Sequence, residues 1–411
     1  MKARRMGELV FYWLLIHCAV LSMSISDSEG NWVRVGGRHG DYTTLHLALE
    51  SNATKIWLTK GTFHWGGDDT KYVVGKDHLE IMGLSREETI ITIGGNVRLK
   101  GMDHVYFHHL TLHPILGVDD GENDDDDELV VSYQDCHSVI LSHIFIPQST
   151  MILKFDSIHT LKIEESIFYS NHLEVTSSHE VSIKNNRLVN GGIILTDIYK
   201  KIHCRFNTIV DSIKNNMPAF RIQQRTESSS SSKSLSISFK ENKIVRCYSG
   251  ILIFFNQNND DNDDASSCSS NRKEIPYDIV LEQNHIMDCK QVGIQIRSST
   301  STSSRNQIQI MSNVITIFHG MAIDCLMKSS STVDVDSTLE IRQNTISSES
   351  SYAIHIPFGN FVSVTDNIIT IPPQYKSTSE YEEKLIVLPS SSSAEKTTNN
   401  GQKTYSNNVF I

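Results

Sequence analysis

The chain has 411 residues, 37 Lys+Arg against 48 Asp+Glu, and a formal net charge of −11. Hydrophobic residues make up 39%, enough for a large core. The acidic balance excludes the basic stripe that a nucleic-acid binder needs, and it disfavours a grip on polyanions without a cation's help.

The N-terminus predicts a secretory leader. Lys2, Arg4 and Arg5 precede an apolar run from Leu9 to Met23, with small residues at Ser22, Ser24 and Ser26. The run is about 15 residues, short of the ~20 that span a bilayer. Residues 1–26 are therefore expected to be a signal peptide, which makes the protein secreted or extracellular with no membrane span after cleavage. An uncleaved anchor is the alternative. Residues 27–411 remain as one domain. The sequon Asn52-Ala53-Thr54 makes Asn52 the expected glycosylation site. Six cysteines come after the leader, too sparse for a disulfide scaffold and without zinc-finger spacing.

The first element after the leader is a short amphipathic helix in Asp41–Glu50, with Asp41 as its expected cap. A helix there would cover the open edge of the strands after it. Next comes a repeat: apolar, any, apolar, two turn residues, Asn, any, apolar. Val181–Leu188, Ile202–Ile209, Ile237–Ile244, Ile279–Ile286, Ile308–Ile315, Leu339–Ile346 and Val362–Ile369 carry it, and Lys403–Phe410 closes it. Copies at Ile56, Val105, Val139 and Leu161 lack the Asn. Uninterrupted copies start roughly 20–23 residues apart. Their period-2 alternation of Ile and Val predicts strands. A second strand comes after most copies, as in Gly192-Ile-Ile-Leu, Gly250-Ile-Leu-Ile and Gly293-Ile-Gln-Ile.

Three short strands in about 21 residues fit one turn of a β-helix. The predicted fold is all-β: a single-stranded right-handed parallel β-helix of about 13 coils, roughly 60 Å long. Leucine-rich repeats are the rival, but the Leu they need before the first strand is replaced by Ser178, Tyr199 and Arg305. Asn186, Asn207, Asn242, Asn284, Asn313, Asn344, Asn367 and Asn408 would form an inward ladder, each tolerating the left-handed turn and bonding its neighbours.

With its Gly-Asp-Tyr-Thr-Thr helix start and Lys-Gly-Thr-Phe strand end, Val33–Phe63 resembles the entry to a pectin-lyase-like right-handed β-helix protein. The resemblance extends over roughly residues 31–411 and implies the fold. The same fold hosts lyases, hydrolases, esterases and non-catalytic members. The Asn-Thr-Asp, paired-Asp, Gly-His-Gly and Arg-Ile-Lys motifs of polygalacturonases are not found, and Phe318-His319-Gly320 is a partial echo. Low-complexity insertions rich in Ser, Asn and Asp interrupt the repeat at residues 224–236, 256–277, 298–307, 328–338 and 389–402, at one corner, and residues 113–128 and 372–383 sit at the other. In proteins of this kind those two corners flank the substrate-binding sheet, which here is the one built from the Gly-Ile strands.

Alternation places Ile294, Ile296, Ile323, Cys325, Ile354 and Ile356 inward on that sheet. Lys154, Glu174, Ile194, Arg221, Leu252, Gln295, Asp324 and His355 would form one outward column. Thr196, Gln223, Phe254, Arg297, Leu326 and Pro357 would form the next. Arg221, Gln223, Phe254 and Gln295 are the candidate substrate-binding residues. Asp324 and His355 are a candidate catalytic acid–base pair, with Arg297 placed to meet a carboxylate. The expected partner is a polysaccharide or other glycan. Three readings remain open: polysaccharide binding, a polysaccharide lyase or glycoside hydrolase, and a structural or adhesive surface protein.

No cofactor is expected, with one exception. The acidic run Asp119–Glu128 could bind Ca²⁺, although it lacks EF-hand spacing and such charge blocks are usually solvated. His137, His159 and His179 share one register and could meet a metal or sense pH. Cys247 and Cys289 share another, as a stack of thiols or a disulfide.

Overall fold

A computed structural model of the chain describes residues 32–66, 72–74, 76–115, 129–147, 151–169, 172–213, 216–224, 234–255, 276–298, 306–317, 320–327, 337–348, 353–356, 361–370, 386–387 and 403–410. The leader, the acidic run Asp119–Glu128, Pro357 and Phe318-His319 lie outside these residues.

The chain winds as a parallel β-helix. Among the described residues, each strand pairs in parallel with its equivalents one coil earlier and one coil later, except at the two ends of each face, where one neighbour is paired. Three faces result. Sheet 1 holds the strands that precede the Asn, from Trp32–Val35 to Lys403–Ser406. Sheet 2 holds the short strands just after it, from Gly61–Trp65 to Val409–Phe410. Two long strands, His104–Ile115 and Ser138–Ile146, run through the corner and join these faces into one sheet of 25 strands. Sheet 3, of 12 strands, contains the Gly-Ile strands. These numbers agree with the expected 13 or so coils.

The core is the inside of the rod. The alternating Ile, Leu and Val residues meet no water; Ile294, Ile296, Ile323, Cys325, Ile354 and Ile356 are all fully buried. A buried aliphatic side chain of this size contributes about 1.5–3 kcal/mol. Because no coil can bury its apolar residues alone, the stack is stable only as a stack. The glycines opening the sheet 3 strands are dictated by the neighbouring backbone: a Cβ on Gly250 would lie 2.2 Å from the carbonyl oxygen of Gly293.

The first coil is covered by α1, Leu45–Glu50, whose Leu45, Ala48 and Leu49 are buried. Its cap is Thr44 rather than Asp41. The Thr44 side chain accepts from the Leu47 amide, whereas the Asp41 carboxylate accepts from the Arg34 amide. The chain turns between these residues, so the nearer hydroxyl caps the helix.

The Asn column forms as predicted and is buried. Asn207 donates from its amide nitrogen to Ile183 O at 2.8 Å and to Asn242 Oδ1 at 3.0 Å, and its backbone N–H also donates to Asn242 Oδ1. The pattern repeats to Asn408. Below Asn186, Ser166 continues it: its N–H donates to Asn186 Oδ1, and its Oγ accepts from Ile144 N–H. The left-handed turn falls one residue earlier than expected. Glu165, Asn185, Phe206, Glu241, Gln283, Ser312, Gln343, Asp366 and Asn407 carry φ between 52° and 57°. The ladder asparagines are thereby left to point inward and bond.

His137, His159 and His179 do stack, with ring centroids 4.7 and 4.9 Å apart, and His78, His104 and Tyr199 extend the column. Among the described residues, no group of three or more metal-ligating side chains is arranged to hold an ion. Cys247 and Cys289 are buried free thiols, not a disulfide. No helix among the described residues is long and apolar enough to cross a membrane.

Candidate functional site

Sheet 3 brings the predicted columns together in register. Ile194, Arg221, Leu252, Gln295, Asp324 and His355 pair in succession, and so do Thr196, Gln223, Phe254, Arg297 and Leu326. Adjacent members stand about 4.8 Å apart. The Asn turn sets the phase of every coil, which is why alternation alone assigns these neighbours.

Asp324 is the hub. Its carboxylate accepts from Gln295 Nε2 at 2.7 Å and meets His355 Nδ1 at 2.8 Å, with an Arg297 guanidinium nitrogen 3.7 Å away. The three partners cover it so fully that its side chain is 1% exposed, against 39% for Arg297 and 28% for His355. A carboxylate on an outward column would ordinarily face water. This one is roofed by its own neighbours, and its charge is held by a cation and two hydrogen bonds. The arrangement fixes the plane and the Nδ1 tautomer of His355. So enclosed, Asp324 reaches the surface only through its partners, of which His355 is held closest.

Toward the N-terminal end of the same face, Arg221 reaches Gln223 Oε1 at 3.5 Å and lies 5.9 Å from the Phe254 ring. Among the described residues, Arg221 Nε and Arg297 Nε are buried without a hydrogen-bond partner, as is Ser298 Oγ. Gln223 is nearly buried, while Phe254 and Gln295 are half-buried. Behind Asp324, burial and the adjacent carboxylate push the Cys325 thiol well above its ordinary range, so it stays protonated. Asn52 stands exposed just past α1.

A second polar cluster escaped sequence reasoning. His109 and His143 stack at the corner between sheets 1 and 2, with centroids 4.4 Å apart and ring planes 12° apart. His143 Nε2 lies 2.5 Å from Glu165 Oε2. Burial, with His143 and His108 adding to it, lowers His109 from 6.5 to about 4. These residues occupy the corner position in coils that lack the ladder Asn or stand next to it. That register was the available signal.

The chain matches no family model and no curated protein. Among solved structures, it is similar to the catalytic domain of a GH87 α-1,3-glucanase in complex with nigerose. The TM-score is 0.50 and the identity 12%, over 93% of this chain and 70% of that one. A variant of such a domain with tetrasaccharides superposes at a TM-score of 0.37 and 12% identity over the same shares. The first likeness is one of fold: both chains are β-helices.

Proposed function

We propose that the protein is a secreted β-helix protein that engages polysaccharide on the outer face of sheet 3, between Arg221 and His355. One observation carries this reading. Asp324, His355, Gln295 and Arg297 meet in a single bonded cluster on a face that also presents Arg221, Gln223 and Phe254. A glycan asks for planar polar groups that bond its hydroxyls beside a ring or aliphatic face, and this strip offers both. The glucanase domain similar in fold has a disaccharide, nigerose, in its complex, which supports the class of ligand.

Catalysis is the second reading, favoured by the 2.8 Å contact between Asp324 and His355. An imidazole oriented by a buried carboxylate is an arrangement suited to general acid–base work. A glycoside hydrolase of the usual kind needs two carboxyls within about 10 Å. Glu174, the other carboxylate on that outward column among the described residues, stands five coils from Asp324, roughly 24 Å. A hydrolytic step here would therefore depend on His355, which makes a lyase the better-fitting enzyme class.

The test is retention and turnover on one panel. The mature protein is incubated with neutral and uronic-acid polysaccharides, with and without Ca²⁺. Bound protein, reducing ends and unsaturated products are monitored. Retention that falls in Arg297→Ala and Asp324→Asn supports the site. Product that vanishes in His355→Ala establishes the enzyme. Retention unchanged in all three variants overturns the assignment of this face.

A further inference from the structure

The corner between sheets 1 and 2 holds a groove of about 540 Å³, within the range of small-ligand sites. His109, His143, Glu165 and Asn185 line it from four successive coils, all at the left-handed corner position. Arg86 and Glu87, from the loop of an earlier coil, form another part of its wall, with Arg187 on sheet 2.

Its charges cancel. Arg86 is paired with Glu87 at 3.0 Å, and Glu165 and Arg187 add one formal charge of each sign to the lining. His109 is neutral above pH 5, because burial holds its pKa at about 4. The groove has no net pull on an anion, and the chain as a whole carries −11. Its polar groups are a carboxylate, an amide and a guanidinium, all planar; Glu165 gives Oε2 to His143 and keeps Oε1 for a hydroxyl, while the Asn185 amide and the Arg187 guanidinium can each meet two adjacent hydroxyls. Glu165 is half-exposed, Arg187 is exposed, and no hydrogen-bond or ion-pair partner is found for the Arg187 side chain among the described residues.

The next coil supplies an independent observation. Asn185 N–H donates to Arg205 O, so Phe206 is the succeeding member of the corner column. Phe206 has φ 57° and is 46% exposed. A bulky aromatic in the left-handed region is an outlier that costs roughly 1–3 kcal/mol. The other corner residues are His, Glu, Gln, Asp, Asn or Ser. Nothing in the core needs this ring. Arg205 lies 4.4 Å from its centroid and is itself held by Glu241 at 3.1 Å, so the ring's orientation is fixed.

We infer that this corner is a second saccharide site, distinct from sheet 3, in which Glu165, Asn185 and Arg187 take the vicinal hydroxyls of a neutral sugar and Phe206 takes a ring face. The inference rests on the reading that the protein engages glycans, and it adds both a second site and a preference for uncharged sugar. A chain held at two corners of the rod would be bound with avidity rather than at one point.

The experiment uses the full mature protein and two probes, a neutral gluco-hexasaccharide and an oligogalacturonate of the same length, in titration calorimetry. Phe206→Gly removes the ring and relieves the φ strain, so its melting temperature should not fall. Its affinity for the neutral probe should drop by about tenfold, and Arg187→Ala should do the same. Arg297→Ala, on sheet 3, should leave this phase of binding intact. Parent-like binding of the neutral probe by both corner variants overturns the inference. Binding lost only in Arg297→Ala also overturns it and leaves the sheet 3 reading standing. Binding lost only in the corner variants supports it and removes the sheet 3 reading. A parent protein that binds neither probe overturns both.

Discussion

Two columns of polar side chains run up this rod, and they behave in opposite ways. The asparagines from Asn186 to Asn408 point inward and hand their bonds to one another and to the backbone. The column from Arg221 to His355 points outward, gathers its bonds at Asp324, and leaves Arg221 Nε without a partner among the described residues. Both have the same spacing. Stacking at the coil repeat is therefore no sign of function by itself. What separates a structural column from a binding one is where the donors and acceptors finish.

The largest expected effect belongs to the inner column. Asn284→Ala removes the acceptor for Asn242 N–H and Nδ2 and the donor to Phe239 O. Each buried group so orphaned costs about 1–3 kcal/mol, so the variant should lose about 3 kcal/mol or more. Urea denaturation reads this directly, and a loss under about 1 kcal/mol would break the comparison. The outer column should respond in function instead. Asp324→Asn keeps volume and shape; its free energy of unfolding should change by about 1 kcal/mol at most, while polysaccharide retention falls by about tenfold.

The third expectation is pH dependence. Ladder amides do not titrate, so the imidazoles and carboxylates outside the rod must carry it. His109 has a folded pKa of about 4 against an ordinary 6.5. Between those values the unfolded chain takes up a proton that the folded chain refuses. Stability from this source is full above pH 6.5 and is lost as pH falls toward 4. His109→Asn, which tolerates the same φ, should flatten that slope in denaturation series run at pH 7, 5.5 and 4.5. The smallest effect is expected at the surface pair Lys240–Glu282, 3.0 Å apart on sheet 1. Lys240→Ala should change stability by less than about 1 kcal/mol, and added salt should erase the difference.

Much of the contrast between the two columns is legible in the sequence. From Val181 onward the Asn in each copy fixes the coil phase, and alternation then places Gln295 beside Asp324 and Asp324 beside His355 without further information. Asp324's burial is not legible, because it depends on how the Arg297 and His355 side chains close over it. The helix cap moves from Asp41 to Thr44 because a turn of three residues decides which oxygen reaches the Leu47 amide. The left-handed residue sits one position before the expected Asn, because the Asn side chain is committed inward to the backbone and to the next Asn, a requirement that residue preference alone does not reveal. The corner groove is assembled from side chains up to about 100 residues apart, from Arg86 to Arg187, and the strand pattern has no term for corners.

The pairing of coils is indifferent to how much chain lies between them. Leu161 meets Val181 after 20 residues, and Lys240 meets Glu282 after 42, in the same register. Doubling a closed loop adds only about 0.6 kcal/mol of entropy. Each coil is a template for the next, so folding can spread from any stretch of closely spaced copies. Residues 160–210, where the copies succeed one another without long interruption, are the natural place for growth to begin. The coil that opens at Leu235 and the one that opens at Tyr277 would join later, each after a longer search. Pulled from its ends, the rod should come apart coil by coil, in steps whose lengths record the chain stored between neighbours.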